Sequence, residues 1–252
     1  MTTIESRVHI ITGATGGIGS ETARQIVGAG GRVVLCDRDS GSLEALALEL
    51  GDSAVCVVGD VTQASHLEEA VQVAVSHFGR LDAVVANAGM EGVVAPLVNQ
   101  TTKDFLTVLS VNVLGVFHSI RAAAPAMVEG GSIVITSSVA GFIGSPGLGP
   151  YVTSKHAVVG LMRNAALELA AQGVRVNSVH PGPIDNRMMR SIEEQAAPGN
   201  GQAVKQAFEA QVPLGRYGTN QEIAALIGWL CSEQSSYCTG QRFVADGGFL
   251  AQ

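Results

Sequence analysis

Aromatic and charged side chains are both scarce in this 252-residue chain. Phe, Trp and Tyr make up 4% of the residues and Asp, Glu, Lys and Arg 15%, whereas hydrophobic residues make up 46%. A disordered or highly charged chain has the opposite balance, because it cannot bury enough apolar surface to offset the entropy lost on ordering. The composition therefore predicts a folded protein with a substantial apolar core.

Runs of basic residues are missing as well. The 15 Lys and Arg residues are scattered and are outnumbered by 22 Asp and Glu, which leaves a formal net charge of -7. Nucleic-acid binding depends on clustered Lys and Arg that neutralise phosphates. We therefore expect no nucleic-acid partner.

Long apolar runs are absent too. Uninterrupted apolar stretches stay at about eight residues or fewer, whereas about 18 are needed to cross a bilayer. The opening residues, MTTIESRVHIITG, lack the basic start and apolar run of a signal peptide. We expect a cytoplasmic protein that makes no membrane contact.

Cysteine and histidine show none of the spacings typical of disulfide frameworks or zinc sites. The four cysteines include no CxxC pair, and the six histidines include no HxH or HExxH pattern. We expect free thiols and no metal site.

Glycine, in contrast, is abundant, and strand-like and helix-like segments alternate. There are 31 glycines, where average usage predicts about 18. Short, continuous Val/Ile-rich runs, typical of parallel strands covered on both faces, lie at 8–12, 32–37, 54–59, 81–87, 132–137, 174–180 and 242–246. Amphipathic segments lie at 18–29, 40–50, 63–78, 102–127, 151–172 and 220–232. The pattern predicts an α/β fold: one Rossmann-type doubly wound parallel sheet of about seven strands flanked by helices, in a single domain over 1–252.

Three helices begin with a candidate capping pair, and two are apolar around nearly their whole circumference. The pairs are Ser65 with Glu68, Thr101 with Asp104 and Thr219 with Glu222. The apolar helices, 103–127 and 151–172, indicate burial on two sides, by the sheet and by a partner subunit. The alternative is a single deep core.

A glycine-rich turn joins the first strand to the first helix. It reads Thr-Gly-Ala-Thr-Gly-Gly-Ile-Gly from Thr12 to Gly19. Such a turn lets a pyrophosphate approach the amide groups at the helix N-terminus. Asp37 ends the second strand, where a carboxylate can accept hydrogen bonds from ribose hydroxyls and would repel a 2′-phosphate. This favours NAD over NADP, although the adjacent Arg38 weakens the preference.

The order and spacing of further motifs resemble the short-chain dehydrogenases/reductases over the whole chain. The motifs are Asp60 and Val61 after strand three, Asn87, Ala88 and Gly89 after strand four, Ser138 after strand five, Tyr151-x-x-x-Lys155, and Pro181 with Gly182 after strand six. The resemblance implies a cofactor site formed by Gly13, Thr15, Gly16, Gly17, Ile18, Gly19, Asp37, Arg38, Asp60, Val61, Asn87, Ala88, Gly89, Tyr151, Lys155, Pro181, Gly182, Ile184 and Asn186. Asn186 stands where the family often has Thr, and this difference puts the contact of Asn186 with the cofactor in question. Asn87 and Gly89 can also close a strand end.

The resemblance also implies a catalytic set of Asn112, Ser138, Tyr151 and Lys155. Tyr151 would be the general base or acid, Ser138 would bond the substrate oxygen, and Asn112 would hold a water that links Lys155 to solvent. Ser137 is the alternative to Ser138 for the bond to the substrate oxygen. Asn112 has a structural alternative too, as a buried amide whose hydrogen bonds are satisfied within the core. Tyr151 and Lys155 are four residues apart and share a helix face. An ammonium about 4 Å away would lower the tyrosine pKa by about 3 units at an effective dielectric near 20.

Substrate recognition is expected in two segments, 141–150 and a helix-break-helix lid over about 183–211. Met188 in the lid suits an adaptable apolar pocket, and Ser138 and Tyr151 complete the substrate site. The leading function is an NAD-dependent oxidoreductase acting on a small to medium-sized, largely apolar secondary alcohol or ketone, and the family favours a homotetramer. The alternatives are a 3-oxoacyl-carrier-protein reductase and a non-catalytic NAD-binding regulatory protein.

Overall fold

Seven parallel strands form one sheet in the computed structural model, which describes residues 4–251. The strands are β1 (Val8–Thr12), β2 (Arg32–Asp37), β3 (Ala54–Val58), β4 (Ala83–Ala86), β5 (Ser132–Thr136), β6 (Arg175–Pro181) and β7 (Arg242–Ala245). Their order is β3-β2-β1-β4-β5-β6-β7. The order reverses between β1 and β4, and in open α/β sheets ligands bind in the crevice outside such a switch point.

The described residues contain nine α-helices, and six of them cover the two faces of the sheet. The nine are α1 (Gly17–Gly28), α2 (Ser40–Leu50), α3 (Ala64–Phe78), α4 (Thr102–Leu109), α5 (Gly115–Ala123), α6 (Gly149–Leu169), α7 (Arg187–Ala196), α8 (Gly201–Glu209) and α9 (Asn220–Cys231). One apolar core joins α3, α5 and α6 to the sheet, and the other joins α1, α2 and α9. Ile10 and Ile11 of β1 enter opposite cores and are both buried. This burial on both faces explains the continuous apolar strands and confirms the predicted doubly wound sheet.

Two of the three predicted helix caps are confirmed. Thr101 accepts a hydrogen bond from the Asp104 amide, and Thr219 forms a reciprocal capping box with Glu222. The prediction for Ser65 is wrong, because α3 begins at Ala64 and Ser65 therefore lies inside its first turn. The helix period alone does not distinguish the cap from the first residues after it.

A single helical stretch of 25 residues, Thr102–Ala126, contains both α4 and α5. A π-helical turn, Ser110–Leu114, joins the two helices. Among residues 4–251 this stretch is long and apolar enough to span a membrane, with a mean hydropathy of 1.5. That is weak support for a span, because the core helix of a soluble protein meets the same criterion. Here α5 packs on α3, and α4 packs on α6.

Candidate active site

The glycine turn after β1 is locked to the loop after β4. The Thr12 hydroxyl accepts hydrogen bonds from the backbone amides of Asn87 and Ala88, at 3.0 and 3.1 Å. The Asn87 side-chain amide donates to the carbonyls of Thr12 and Gly13, each at 3.2 Å. Gly13 has a φ of +64°, and a Cβ there would lie 2.8 Å from Ala88 Cα. Asn87 therefore has the strand-closing role considered for it, and the two loops form the floor of the crevice.

The N-terminus of α1 opens into this crevice. Its N-cap is Gly16, so no side chain caps the first-turn amides, and Gly17, Ile18 and Gly19 form the first residues of the helix. A Cβ at Gly19 would overlap the Gly13 carbonyl. Backbone amides at a helix N-terminus, free of side chains, suit the pyrophosphate of a dinucleotide.

Asp37 stands beside the glycine turn at the end of β2. Its Oδ2 accepts hydrogen bonds from the Thr15 amide at 3.0 Å and the Thr15 hydroxyl at 2.8 Å, and its Oδ1 accepts from the Arg38 amide at 2.7 Å. The Arg38 guanidinium, 74% exposed, lies 3.8 Å from the Asp60 carboxylate. These contacts hold the Asp37 carboxylate at the mouth of the crevice, where it fits the ribose of a dinucleotide.

The segment after β3 is tied to α5. The carbonyl of Val61 lies 2.9 Å from His118 Nδ1, and a Cβ at Gly115 would lie 2.7 Å from the Val61 side chain. Asp60 accepts a hydrogen bond from the Thr62 amide. Both predicted adenine contacts therefore lie on a fixed backbone at the same edge of the sheet as Asp37.

Three elements, α6, the segment after β5 and the π-helical turn, bring the four predicted catalytic residues together. Tyr151 and Lys155 lie on α6, and the Lys155 Nζ is 5.4 Å from the Tyr151 ring centroid. Ser138 follows β5 and is hydrogen-bonded to Tyr151. A Cβ at Gly89 would lie 3.5 Å from Lys155 Nζ and 3.4 Å from Asn112 Oδ1. The bare backbone at Gly89 thus borders the predicted catalytic residues directly.

Burial dominates the acid–base properties of this group. Burial raises the pKa of Tyr151 to about 12; the hydrogen bond with Ser138 opposes this rise, and the negative charge of Glu91 adds to it. Burial also lowers the pKa of Lys155 to about 8. The expectation that Lys155 alone makes Tyr151 acidic is not met in the cofactor-free structure, because burial raises the pKa of Tyr151 and the Lys155 ammonium donates to the Thr136 carbonyl at 2.8 Å.

Asn112 is buried in the π-helical turn and has a partner for each of its amide groups. Its Oδ1 accepts a hydrogen bond from the Met90 amide at 2.8 Å, and its Nδ2 donates to the Met90 carbonyl and to the Ser154 hydroxyl, each at 2.9 Å. These contacts match the alternative of a satisfied core amide. Asn112 clamps the loop after β4 against α6.

The structure distinguishes the two candidate serines. Ser137 is buried, and its hydroxyl donates to the Lys155 carbonyl at 3.1 Å. Ser138 lies beside Tyr151, and its hydroxyl accepts from the Ala140 amide at 3.1 Å. Ser137 therefore supports α6, and Ser138 faces the reaction site.

Sequence reasoning missed the role of His180. Its Nδ1 lies 2.8 Å from the Ser138 carbonyl and its Nε2 2.9 Å from the Ser178 hydroxyl. A carbonyl only accepts, so Nδ1 carries the proton and Nε2 accepts from Ser178. Burial lowers the pKa of His180 to about 4. This neutral ring fixes the backbone of Ser138, and no spacing in the sequence indicated it.

The segment after β6 leads from the cofactor crevice to the predicted lid. The Gly182 amide donates to the Ala245 carbonyl, and Ile184 is buried and bridges to Gly218. Asn186 caps α7 by accepting a hydrogen bond from the Met189 amide at 3.2 Å. The side-chain oxygen of Asn186 thus already accepts a hydrogen bond within the chain, and this weakens the case for its predicted contact with the cofactor.

The segment predicted to be a lid contains two helices, α7 and α8, in the helix-break-helix order that the sequence pattern predicted. An apolar cluster lies between α7, the loop after β4 and the start of α6; it contains Val94, Ala140, Leu148, Tyr151, Val152, Met188, Met189 and Ile192. The Tyr217 hydroxyl donates to the buried Glu193 carboxylate at 2.8 Å and ties α7 to the segment before α9. Tyr151 therefore lies in an apolar cluster to which α7 contributes.

No group of three or more metal-ligating side chains occurs in the part of the chain that the structure describes.

The fold and site together define the class of the protein: an oxidoreductase with a dinucleotide crevice beside a Ser-Tyr-Lys group. A family model described as Enoyl-(Acyl carrier protein) reductase matches residues 13–250. The chain belongs to the short-chain dehydrogenase/reductase family.

Relatives within this family cover nearly the whole chain. A 3-oxoacyl-(acyl-carrier-protein) reductase of Thermotoga maritima is 36% identical over 98% of this chain and 99% of its own length. A cyclohexanol dehydrogenase of Acinetobacter sp. (strain SE19) is 35% identical over 98% of this chain and 96% of its own. The crystal structure of a levodione reductase superposes with a TM-score of 0.94, at 35% identity and 98% coverage of both chains.

Proposed function

We propose that this protein is an NAD-dependent dehydrogenase that interconverts a secondary alcohol and a ketone. The observation that carries the proposal is the group formed by the buried Tyr151 and Lys155 and the partly buried Ser138 at the carboxyl edge of the sheet, beside a crevice that fits a dinucleotide. The relatives include a cyclohexanol dehydrogenase and a levodione reductase, both named for alcohol or ketone chemistry.

The cofactor preference depends on Asp37. Its carboxylate is held in place by Thr15 and Arg38, and it offers lone pairs to the two ribose hydroxyls of an adenosine. A 2′-phosphate in the same place would meet a negative charge. Residues 13–19 and 87–89, Asp60 and Val61, and Pro181 to Asn186 would hold the rest of the cofactor.

Each catalytic residue has a separate task in the proposed reaction. The nicotinamide ring of a bound NAD would supply the acceptor for the hydride of the carbinol carbon. Tyr151 takes the proton of the hydroxyl group, and Ser138 donates a hydrogen bond to the substrate oxygen. Lys155 donates to the Thr136 carbonyl and supplies positive charge near Tyr151. Asn112 positions the loop that covers this group.

The apolar side chains around Tyr151 favour a small or medium-sized, largely apolar substrate. Met188, Met189 and Ile192 of α7 cover Leu148 and Val94 across the site. Methionine side chains adapt to irregular apolar shapes. The two lid helices would close over such a substrate.

We also propose that the enzyme is a homo-oligomer, with a tetramer favoured by the family. Apolar side chains on the outer faces of α4 to α6 support this, with exposures of 55% for Leu106, 42% for Phe117 and 81% for Leu167. A second subunit would cover them. Light scattering on the purified protein tests this, and a monomer at micromolar concentration would contradict it.

A 3-oxoacyl-carrier-protein reductase is the second candidate, because the Thermotoga maritima relative carries that name. Asp37 and the net charge of -7 count against it, since a carrier protein is acidic and its reductases commonly use NADPH. A non-catalytic NAD sensor is a poorer explanation, because it has no use for a proton-transfer group.

The test is NADH formation with a panel of secondary alcohols and NAD, followed spectrophotometrically, with acetoacetyl-carrier protein and NADPH in parallel. We expect alcohol oxidation, and we expect Tyr151→Phe to lower kcat by at least about a hundredfold, as for loss of a general base. NADH binding to that variant, followed by fluorescence, should be nearly unchanged. Retained activity in Tyr151→Phe would exclude the assigned chemistry.

A further inference from the structure

Tyr217 and Glu193 form a buried polar pair that the proposed chemistry does not use. The two residues are 5% and 6% exposed, and the Tyr217 hydroxyl donates to the Glu193 carboxylate at 2.8 Å. Burial and the adjacent carboxylate raise the pKa of Tyr217, so its hydroxyl stays protonated and remains a donor. The hydrogen bond between the two groups offsets the hydration that they lose on burial.

Glu193 belongs to the buried side of α7, which packs against the reaction site. Its neighbour Ile192 is also buried and lies in the apolar cluster that contains Tyr151. Met188 and Met189, one helical turn earlier, pack against the same cluster. Residues four apart on a helix are neighbours on one face. Holding Glu193 in place therefore also holds the apolar side chains of α7 beside Tyr151.

Tyr217 stands on a fixed backbone. The amide of its neighbour Gly218 donates to the Pro183 carbonyl, and the Gly218 carbonyl accepts from the Asp185 amide, each at 2.9 Å. A Cβ at Gly218 would lie 2.7 Å from Ile184 Cδ1. The segment after β6 and the segment before α9 are thus joined, and together they anchor the tyrosine that holds α7.

The second helix of the predicted lid, α8, contacts a different part of Tyr217. The Lys205 Nζ lies over the Tyr217 ring, 5.2 Å from its centroid, and 3.5 Å from the Asp185 carboxylate. A phenylalanine ring supports the same cation–π contact. Replacing Tyr217 by Phe therefore removes the hydrogen bond to α7 and keeps the contact with α8.

We propose that Tyr217 and Glu193 are positioning residues that hold the apolar face of α7 against the substrate beside Tyr151. Without the hydroxyl, the Glu193 carboxylate is stabilised by moving toward solvent, and α7 then carries Ile192 away from Tyr151. The inference rests on the proposed function and adds two residues that determine the affinity for the substrate.

The experiment compares the wild type with four variants, using the best alcohol of the panel above. Tyr217→Phe removes the hydroxyl and keeps the ring. Glu193→Gln keeps an acceptor, and the double variant Tyr217→Phe/Glu193→Met replaces both partners by apolar groups of similar size. Tyr237→Phe makes the same change at a fully exposed position and serves as the control.

In Tyr217→Phe we expect KM for the alcohol to rise by about tenfold, because a buried acceptor has lost its donor. The values of kcat and of Kd for NADH should change by less than about twofold, the pattern of lost substrate binding. KM should stay within about threefold of the wild-type value in Glu193→Gln and in the double variant, which leave no acceptor without a donor. Tyr237→Phe should leave it unchanged.

A purely structural role of the pair gives a different result, because Tyr217→Phe would then lower Tm and leave KM unchanged. That result overturns the proposal. An equal loss of NADH affinity overturns it as well, since the pair would then act through the cofactor segment and not through α7.

Failure of the proposed function is seen separately, as a wild-type enzyme inactive on every alcohol. Hydrogen exchange of the amides in 187–196 then tests the pair in the purified protein. Exchange should be about tenfold faster in Tyr217→Phe than in the wild type, and unchanged in the double variant and in Tyr237→Phe. Equal exchange in Tyr217→Phe and the wild type overturns the proposal.

Discussion

Tyr151 in the cofactor-free protein is expected to stay protonated up to at least about pH 10. Burial raises its pKa to about 12. Lys155 would oppose this only while charged, and burial lowers the pKa of that lysine to about 8. In the alkaline range where a tyrosine ionises, Lys155 is therefore largely neutral and gives little help.

The size of the help that a charged Lys155 can give follows from its position. Its Nζ lies 5.4 Å from the ring centroid, and at an effective dielectric near 20 this corresponds to about 3 kcal/mol, or about 2 pKa units. Lowering the pKa from about 12 to about 7 takes about 7 kcal/mol. A second positive charge close to the tyrosine is therefore required, and the oxidised nicotinamide ring of bound NAD would supply one.

Two measurements check this reasoning. Tyrosinate absorbance of the cofactor-free wild type minus that of Tyr151→Phe should show no ionisation below about pH 10, since the other two tyrosines cancel in the difference. In the pH profile of kcat/KM for the alcohol at saturating NAD, the ionisation of Tyr151 should appear at least about 2 pH units below pH 10. A tyrosinate signal near pH 7 in the cofactor-free protein would refute the argument.

Three further predictions follow from single contacts. Asp37→Ser should raise kcat/KM for NADP relative to NAD by at least about tenfold, because it removes a carboxylate from the phosphate position; an unchanged ratio contradicts the placement. Ser137→Ala should cost about 1–2 kcal/mol in urea unfolding through its lost bond to the Lys155 carbonyl, whereas Ser138→Ala should lower kcat with little effect on stability; the reverse outcome would exchange their roles. Burial lowers the pKa of His9 and His180 to about 4. Below about pH 6.5 the unfolded chain therefore binds more protons than the folded protein. The free energy of unfolding should fall as the pH is lowered from about 6.5 to 4, by up to about 3 kcal/mol per histidine. His180→Asn should flatten this dependence, and a stability independent of pH in that range would contradict it.

Much of the fold could be predicted from local patterns. Continuous Val/Ile runs such as 8–12 occur where a strand is buried on both faces, and this depends only on residue type and period. The Thr101 and Thr219 caps involve residues three apart, and both are confirmed. The prediction at Ser65 failed because several residues near a helix start fit the same pattern.

The candidate site could likewise be predicted from the sequence where its features are local. The glycine turn, Asp37 at the end of a strand, and the four-residue spacing of Tyr151 and Lys155 are local features, and chain geometry places them on one edge of the sheet and one face of a helix. The family motifs supplied the order of the remaining residues.

The tertiary structure decided what depends on distance and burial between remote segments. It gave Ser137 and Ser138 different hydrogen-bond partners and brought His180 from β6 to the Ser138 carbonyl. It also set the pKa of Tyr151, because desolvation and charge distance exist only after packing. A sequence encodes which groups are present and how nearby ones are spaced along an element, whereas the energy of a buried charge depends on everything that surrounds it.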